Sequence, residues 1–274
     1  MCELRVYTNA WRAKGNSLAL VPTMGALHDG HLHLFEKALE HADKVVVSIF
    51  INPTQFAESE DLSTYPRDLD GDLKKLESRG AHLAFVPERA EVYPEGFATT
   101  VSTAGPAKAG LKDKHRTHFF DGVTTVVANL LIQAQCDFAI FGEKDYQQLM
   151  VVTKMASDLD IPTAIIGAET VREADGLAMS SRNLYLSEKE RKAAPLLHQS
   201  LQAVARRLKE GIPPEQATSK AVEELASAGF DVDYFEARNA TTLEKLRNSG
   251  VEPLRILAAA RLGKTRLIDN IGVK

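Results

Sequence analysis

The chain has 274 residues, 44% hydrophobic and 26% charged, with a formal net charge of -4, which is globular composition with room for one large α/β domain and a smaller one. That balance argues against a nucleic-acid partner, and no apolar run is long enough to span a bilayer. Glu3 and Arg5 interrupt the N-terminus before any apolar stretch, so no signal peptide is expected, and Cys2 and Cys136, in no CxxC pair, read as reduced thiols of a cytoplasmic protein.

In chain order, residues 17–21 form a short apolar run ending at Pro22 and predict a strand, and 31–41 carry Leu32, Leu34, Phe35, Ala38 and Leu39 at helical spacing. Residues 45–51 are continuously apolar and β-branched, the pattern of a strand buried on both faces of a parallel sheet. A helix over 69–76 and a strand over 83–86 follow, then a less regular excursion over 91–118. Helices over 123–134 and 145–159 alternate with strands over 138–141 and 164–166, which implies a parallel sheet with right-handed crossovers. The character changes after Glu169. Ser187 with Glu190 forms a capping box for a helix reaching Lys209, which Pro195 should bend or break. A helix over 215–228 ends at Gly229, and strands are expected over 232–237, 254–260 and 265–268. The expected organisation is therefore an α/β, parallel-sheet domain over 1–170 and a smaller α+β domain over 171–274.

Four segments carry chemistry. PTMGALHDGH at 22–31 lies where the first strand meets the first helix, outside the carboxyl end of a parallel sheet, where free N–H groups favour phosphate. Gly25 and Gly30 permit close backbone approach, and His28 and His31 add two ring donors. A metal cluster of His28, His31 and His33 lacks a carboxylate or cysteine at zinc-like spacing. FGEKDYQQ at 141–148 again joins a strand to a helix, so Lys144 can reach the same crevice, although the segment alone could be a solvated turn capped by Asp145. One of Gln147 and Gln148 is expected at the surface and the other at the crevice. DGLAMSSRN at 175–183 falls at the domain junction and offers two hydroxyls and a guanidinium for pyrophosphate. NPTQF at 52–56 ends the buried strand and presents the uncharged amide of Gln55, suited to a hydroxy acid, or forms a turn capped by Asn52. No P-loop and no GxGxxG occurs.

The HxGH element resembles the HIGH motif of the nucleotidyltransferase superfamily, and MSSR resembles its KMSKS loop. PTMGALHDGH, NPTQF, YPRDL, DGV, FGEKDYQQL, DGLAMSSRN and the terminal RLIDN together resemble the pantoate–β-alanine ligases over nearly the whole chain. The resemblance implies a Rossmann-like nucleotide-binding domain over 1–170 with a smaller C-terminal lid over 171–274, in a cytoplasmic homodimer that uses ATP and magnesium, joining pantoate to β-alanine through a pantoyl-adenylate. It maps ATP onto Met24, Gly25, Ala26, Leu27, His28, Asp29, Gly30 and His31, onto Gly142, Glu143, Lys144 and Asp145, and onto Val171, Met179, Ser180, Ser181 and Arg182. Pantoate maps onto Gln55 and Gln148, with Arg116 a further substrate-side residue, and proton donation onto His31. His28 and Lys144 would join His31 in catalysis. Magnesium would take one carboxylate such as Asp72 or Asp145. One departure stands out: the family's usual RPGHF is Arg116-Thr117-His118-Phe119-Phe120 here, which puts the substrate-side wall in question. An AMP- or CMP-transferase of the same superfamily and an inactive nucleotide-binding module are the competing readings.

Overall fold

The structure, a computed structural model, describes residues 2–57, 62–246 and 253–273. Strands β1 (Leu18–Thr23), β2 (Lys44–Ile49), β3 (Leu83–Phe85), β4 (Phe138–Gly142) and β5 (Ala164–Ala168) pair in parallel, in the order β3-β2-β1-β4-β5. Burial sets this sheet. Leu18 and Leu20 of β1 enter one hydrophobic cluster while Ala19 and Val21 enter another, so alternate residues serve opposite faces. Removing each such aliphatic side chain from water is worth ~1.5–3 kcal/mol, more than β propensity supplies.

Helices α1 (Cys2–Arg12), α2 (Asp29–Leu39), α3 (Leu69–Ser78), α4 (Arg89–Val92), α5 (Lys112–His115), α6 (Phe119–Ala134) and α7 (Tyr146–Asp158) surround the sheet. The prediction did not include α1. Its buried Leu4 and Thr8 make only a narrow stripe, with Val6 and Tyr7 exposed. Helix α6 starts four residues before the expected Val123, because Phe119 and Phe120 are buried and extend its apolar face. Cys136 is a buried free thiol whose burial pushes it up to about 12, so it is inert; the side chain of Cys2 lies outside the described residues.

The C-terminal part contains α8 (Glu188–Ala193), α9 (Leu196–Lys209), α10 (Pro214–Ser227), β6 (Phe230–Asn239), β7 (Leu254–Leu262) and β8 (Thr265–Val273). Its three strands form an antiparallel sheet in the order β6-β7-β8. Pro195 separates α8 from α9, as its missing N–H requires, and Ser187 and Glu190 close the expected capping box. A separate cluster around Leu197, Leu201, Leu225 and Ile256 forms this part's core. Among the described residues no helix is long and apolar enough to cross a membrane.

Candidate active site

The crevice follows from strand pairing. Strand β1 pairs with β2 from Leu18 to Thr23 but with β4 only at Ala19 and Leu20. Leu18 directs both its N–H and its C=O toward Asp137, on the β4 side. Alternation puts the nitrogen of Pro22 on that side too, where it has no proton to give. The sheet therefore parts between β1 and β4 beyond Leu20, at the point where strand order reverses.

The segment after β1 turns sharply. Gly25 (φ 81°) and Ala26 (φ 51°) are consecutive left-handed residues, a conformation that costs a non-glycine residue on the order of 1–2 kcal/mol. Asp72, 1% exposed on α3, holds it. One carboxylate oxygen accepts from Ala26 N at 2.8 Å and the other from Leu27 N at 2.7 Å. Lys75 Nζ donates to Leu27 O (2.7 Å) and Ser181 Oγ to Ala26 O (3.1 Å). A Cβ on Gly25 would lie 3.1 Å from Asp72 Oδ2 and 3.2 Å from Ile49 Cγ2, so the position leaves little room for a larger residue.

His28 caps α2 and His31 completes a capping box. His28 Nδ1 accepts from Gly30 N (3.1 Å) and His31 Nδ1 accepts from His28 N (3.3 Å). Both rings therefore carry their proton on Nε2, with centroids 4.1 Å apart. Burial, then the nearby Lys144, pushes His28 down to about 4. Burial, with His28 and Lys144 beside it, holds His31 well below the ordinary imidazole range. Both are neutral N–H donors at pH 7.

Strand β4 delivers Lys144 to the opposite wall. Its Nζ donates to Met179 O at 2.8 Å, linking the 142–145 turn to the 179–182 segment. Burial, then the charge of Arg182, pushes Lys144 down to about 8, so it keeps most of its charge at neutral pH. Asp145 is ion-paired with Lys112, a fully buried lysine that burial pushes down to about 7 against the pull of that carboxylate. Ser180 accepts from Arg182 N (3.3 Å), which leaves its hydroxyl proton available, whereas Ser181 already donates its hydroxyl hydrogen bond to Ala26 O.

The remaining wall is made by the 52–55 turn and α6. Asn52 caps the turn, as expected of NPTQF, and also orients Gln55. Asn52 Nδ2 donates to Gln55 Oε1 (3.2 Å) and to Gly122 O (3.1 Å), leaving the Gln55 amide nitrogen toward Met24 Sδ. A Cβ on Gly122 would meet Thr54 O at 2.5 Å, which explains the glycine of DGV. Val123, Val126, Val127 and Leu130 of α6, with Phe50, give the inner cavity of about 280 Å³ an apolar side. It adjoins a wider cavity of about 890 Å³ toward the C-terminal sheet, and both are lined by Gln55, Lys144, Asp145, Gln148 and Arg182.

The family model for pantoate-beta-alanine ligase matches residues 1–272. The chain belongs to the pantoate–β-alanine ligase family. A pantothenate synthetase of Rhodopseudomonas palustris is 55% identical over 262 residues, covering 96% of this chain and 93% of that one. Among solved structures, a pantothenate synthetase of Thermus thermophilus superposes with a TM-score of 0.91 at 43% identity, covering 97% of each chain. The ligase of Francisella tularensis, complexed with beta-gamma ATP and beta-alanine, gives 0.80 at 34% identity over 98% of this chain and 95% of that one.

Of the residues this family's pattern assigns to ATP, the inner cavity gathers Met24, His28, Gly30, His31, Gly142, Lys144, Asp145, Val171, Met179, Ser180, Ser181 and Arg182. It does not gather Gly25, Ala26 and Leu27, whose part is the turn itself, or Asp29, which faces solvent. Glu143 points away from both cavities and ion-pairs with Arg255 at 2.6 Å. Arg116 lines only the wider cavity, where it donates to Gln55 O (3.0 Å) and stacks over Phe119. Neither glutamine of QQ lies at the surface, contrary to expectation. Gln148 lines the cleft, whereas Gln147 is buried and ties α5, through Lys112 N and Asp113 Oδ1, to the preceding turn, through Pro106 O. Sequence reasoning did not find Lys75, Lys112, Tyr65 or the valines of α6. An amphipathic pattern says which face is buried but not whether the buried face meets protein or a cavity.

Proposed function

We propose that the chain condenses pantoate with β-alanine, driven by cleavage of ATP to AMP and pyrophosphate through a pantoyl-adenylate. The observation that carries this is the convergence of two neutral Nε2–H donors and Lys144 on one cavity that is apolar and amide-lined at its other end. A pantoate carboxylate oxygen bonds to the α-phosphorus as the bond to pyrophosphate breaks. The deprotonated β-alanine amine then bonds to the acyl carbon and AMP leaves. His28 and His31 hydrogen-bond the reacting phosphate, and Lys144 balances its growing charge. His31 gives a hydrogen bond rather than a proton, because its low basicity keeps it neutral. Ser180 and Arg182 hold the departing pyrophosphate, and Gly142 and Val171 border the rest of the nucleotide. The valines of α6 suit the dimethyl carbon of pantoate, and Gln55 and Gln148 its oxygens. A division at 170/171 is supported by a buried core on each side of it, with Leu111, Leu243 and Leu257 packed together across the boundary. A cytoplasmic homodimer is the family's expected state.

Magnesium is expected as the counter-ion of ATP. The two carboxylates considered for it do not fit a protein-held ion, since both oxygens of Asp72 accept backbone N–H groups and Asp145 is engaged by Lys112 and the Gln148 backbone.

Incubation with pantoate labelled with ¹⁸O in its carboxylate tests the reading. One label should appear in AMP and none in pyrophosphate. A product that retains the nucleotide would point to the transferase alternative, and no turnover at all to an inactive binding module.

Two further outcomes follow from the site. Gln55→Ala and Gln148→Ala each leave substrate oxygens unpaired, at ~1–3 kcal/mol. The KM for pantoate should rise and that for ATP stay nearly unchanged; the reverse pattern means the pocket has been given to the wrong ligand. Charged Lys144 is lost as pH rises through about 8, so kcat/KM for ATP should fall above that pH, with no acid limb near 6.5 from histidine. Lys144→Arg, whatever its activity, should lack the alkaline limb. A limb that persists unchanged in that variant excludes Lys144 as its source.

A further inference from the structure

The terminal RLIDN string is absorbed by none of the chemistry above, yet Asp269 and Asn270 are 4% and 3% exposed. They are neighbours on β8, so their side chains leave opposite faces of the C-terminal sheet. Asn270 faces the turn that carries Lys144. Its Nδ2 donates to Glu143 O (2.8 Å) and to Lys144 O (2.9 Å), and its Oδ1 accepts from Arg255 Nε (2.6 Å). Arg255 then pairs with Glu143 and lies 3.6 Å over the ring of Tyr146. Asp269 faces the other way and accepts both prongs of Arg172 at 2.7 and 2.9 Å, while His198 Nδ1 lies 3.3 Å from its Oδ2 without a hydrogen bond. Arg172 bridges Ala178, and Met179 N donates to Val171 O (3.0 Å), so Asp269 sets the base of the 179–182 segment.

We infer that Asp269 and Asn270 are positioning residues for adenylate formation, two consecutive side chains that fix the two phosphate-facing segments against each other. The contact between Lys144 Nζ and Met179 O closes the triangle. The inference rests on the function proposed above. It adds that the C-terminal sheet sets the geometry of the first half-reaction in addition to covering the cleft.

Asn270→Asp is the discriminating variant. It keeps size and the acceptor for Arg255 but replaces the donor that serves two carbonyls with a carboxylate that repels them. Misplacement of about 1 Å at a reacting group commonly costs ~10²-fold. Pantoate-dependent ATP–pyrophosphate exchange should therefore fall by that order, while preformed pantoyl-adenylate still reacts with β-alanine within a few-fold of wild type. The ratio of the two half-reactions in one sample does not depend on how much protein is folded. Should Asn270→Asp fail to fold, Asp269→Glu, which keeps the charge and moves it outward, is read the same way. Equal losses in both half-reactions, or exchange at the wild-type rate, overturn the inference. Absence of exchange in the wild type instead removes the proposed function beneath it.

Discussion

Replacing His31 with alanine is expected to lower pantoate-dependent adenylation by ~10²–10³-fold, the usual effect of losing one fixed donor to a developing oxyanion. The size of the effect has two sources that must be separated. His31 Nδ1 accepts from His28 N, so alanine also removes half of a capping box, at about 0.5–2 kcal/mol of stability. His31→Gln distinguishes them, because glutamine at the third helical position restores the cap but lacks a ring Nε2–H at the same place. It should recover thermal stability toward wild type while remaining nearly as inactive as alanine. Recovery of activity together with stability would show that His31 serves the helix and not the phosphate.

Lys144→Ala should damage the first half-reaction far more than the second, by ~10²-fold or more, since phosphate charge grows as pyrophosphate departs and falls once the adenylate has formed. The structure gives this lysine two tasks, a charge toward the cleft and a hydrogen bond to Met179 O. Single-turnover reaction of preformed adenylate with β-alanine should remain close to wild type. Equal loss in that step would mean that the lysine orders the 179–182 segment for both chemistries.

The parallel sheet was legible because β1 and β2 are continuous aliphatic runs, and burial on both faces leaves that pattern little alternative. The joints after β1 and β4 were legible because HxGH and GEKD stand where a parallel sheet opens. What stayed hidden depends on contacts between segments distant in sequence. Asp72 is a candidate magnesium carboxylate by sequence and is instead the acceptor that stabilises a left-handed alanine 46 residues away. Gln147 and Gln148 are adjacent and chemically identical, and only the path of 105–115 decides which one faces the cleft. Asp269 and Asn270 lie just past the strand expected over 265–268, yet one anchors Arg172 and the other the backbone of the GEKD turn. The altered wall over 116–120 still presents Arg116 to Gln55, through its backbone carbonyl, while Phe119 and Phe120 begin α6.

Exchange of labelled pyrophosphate into ATP tests the central claim most directly, because it reads formation of the acyl-adenylate and nothing after it. With ATP, magnesium and enzyme, label should enter ATP only when pantoate is added, without any need for β-alanine, and should be nearly abolished in His31→Ala. Exchange that proceeds without pantoate, or that appears only when β-alanine is present, would contradict adenylation of pantoate in the β1–β4 crevice.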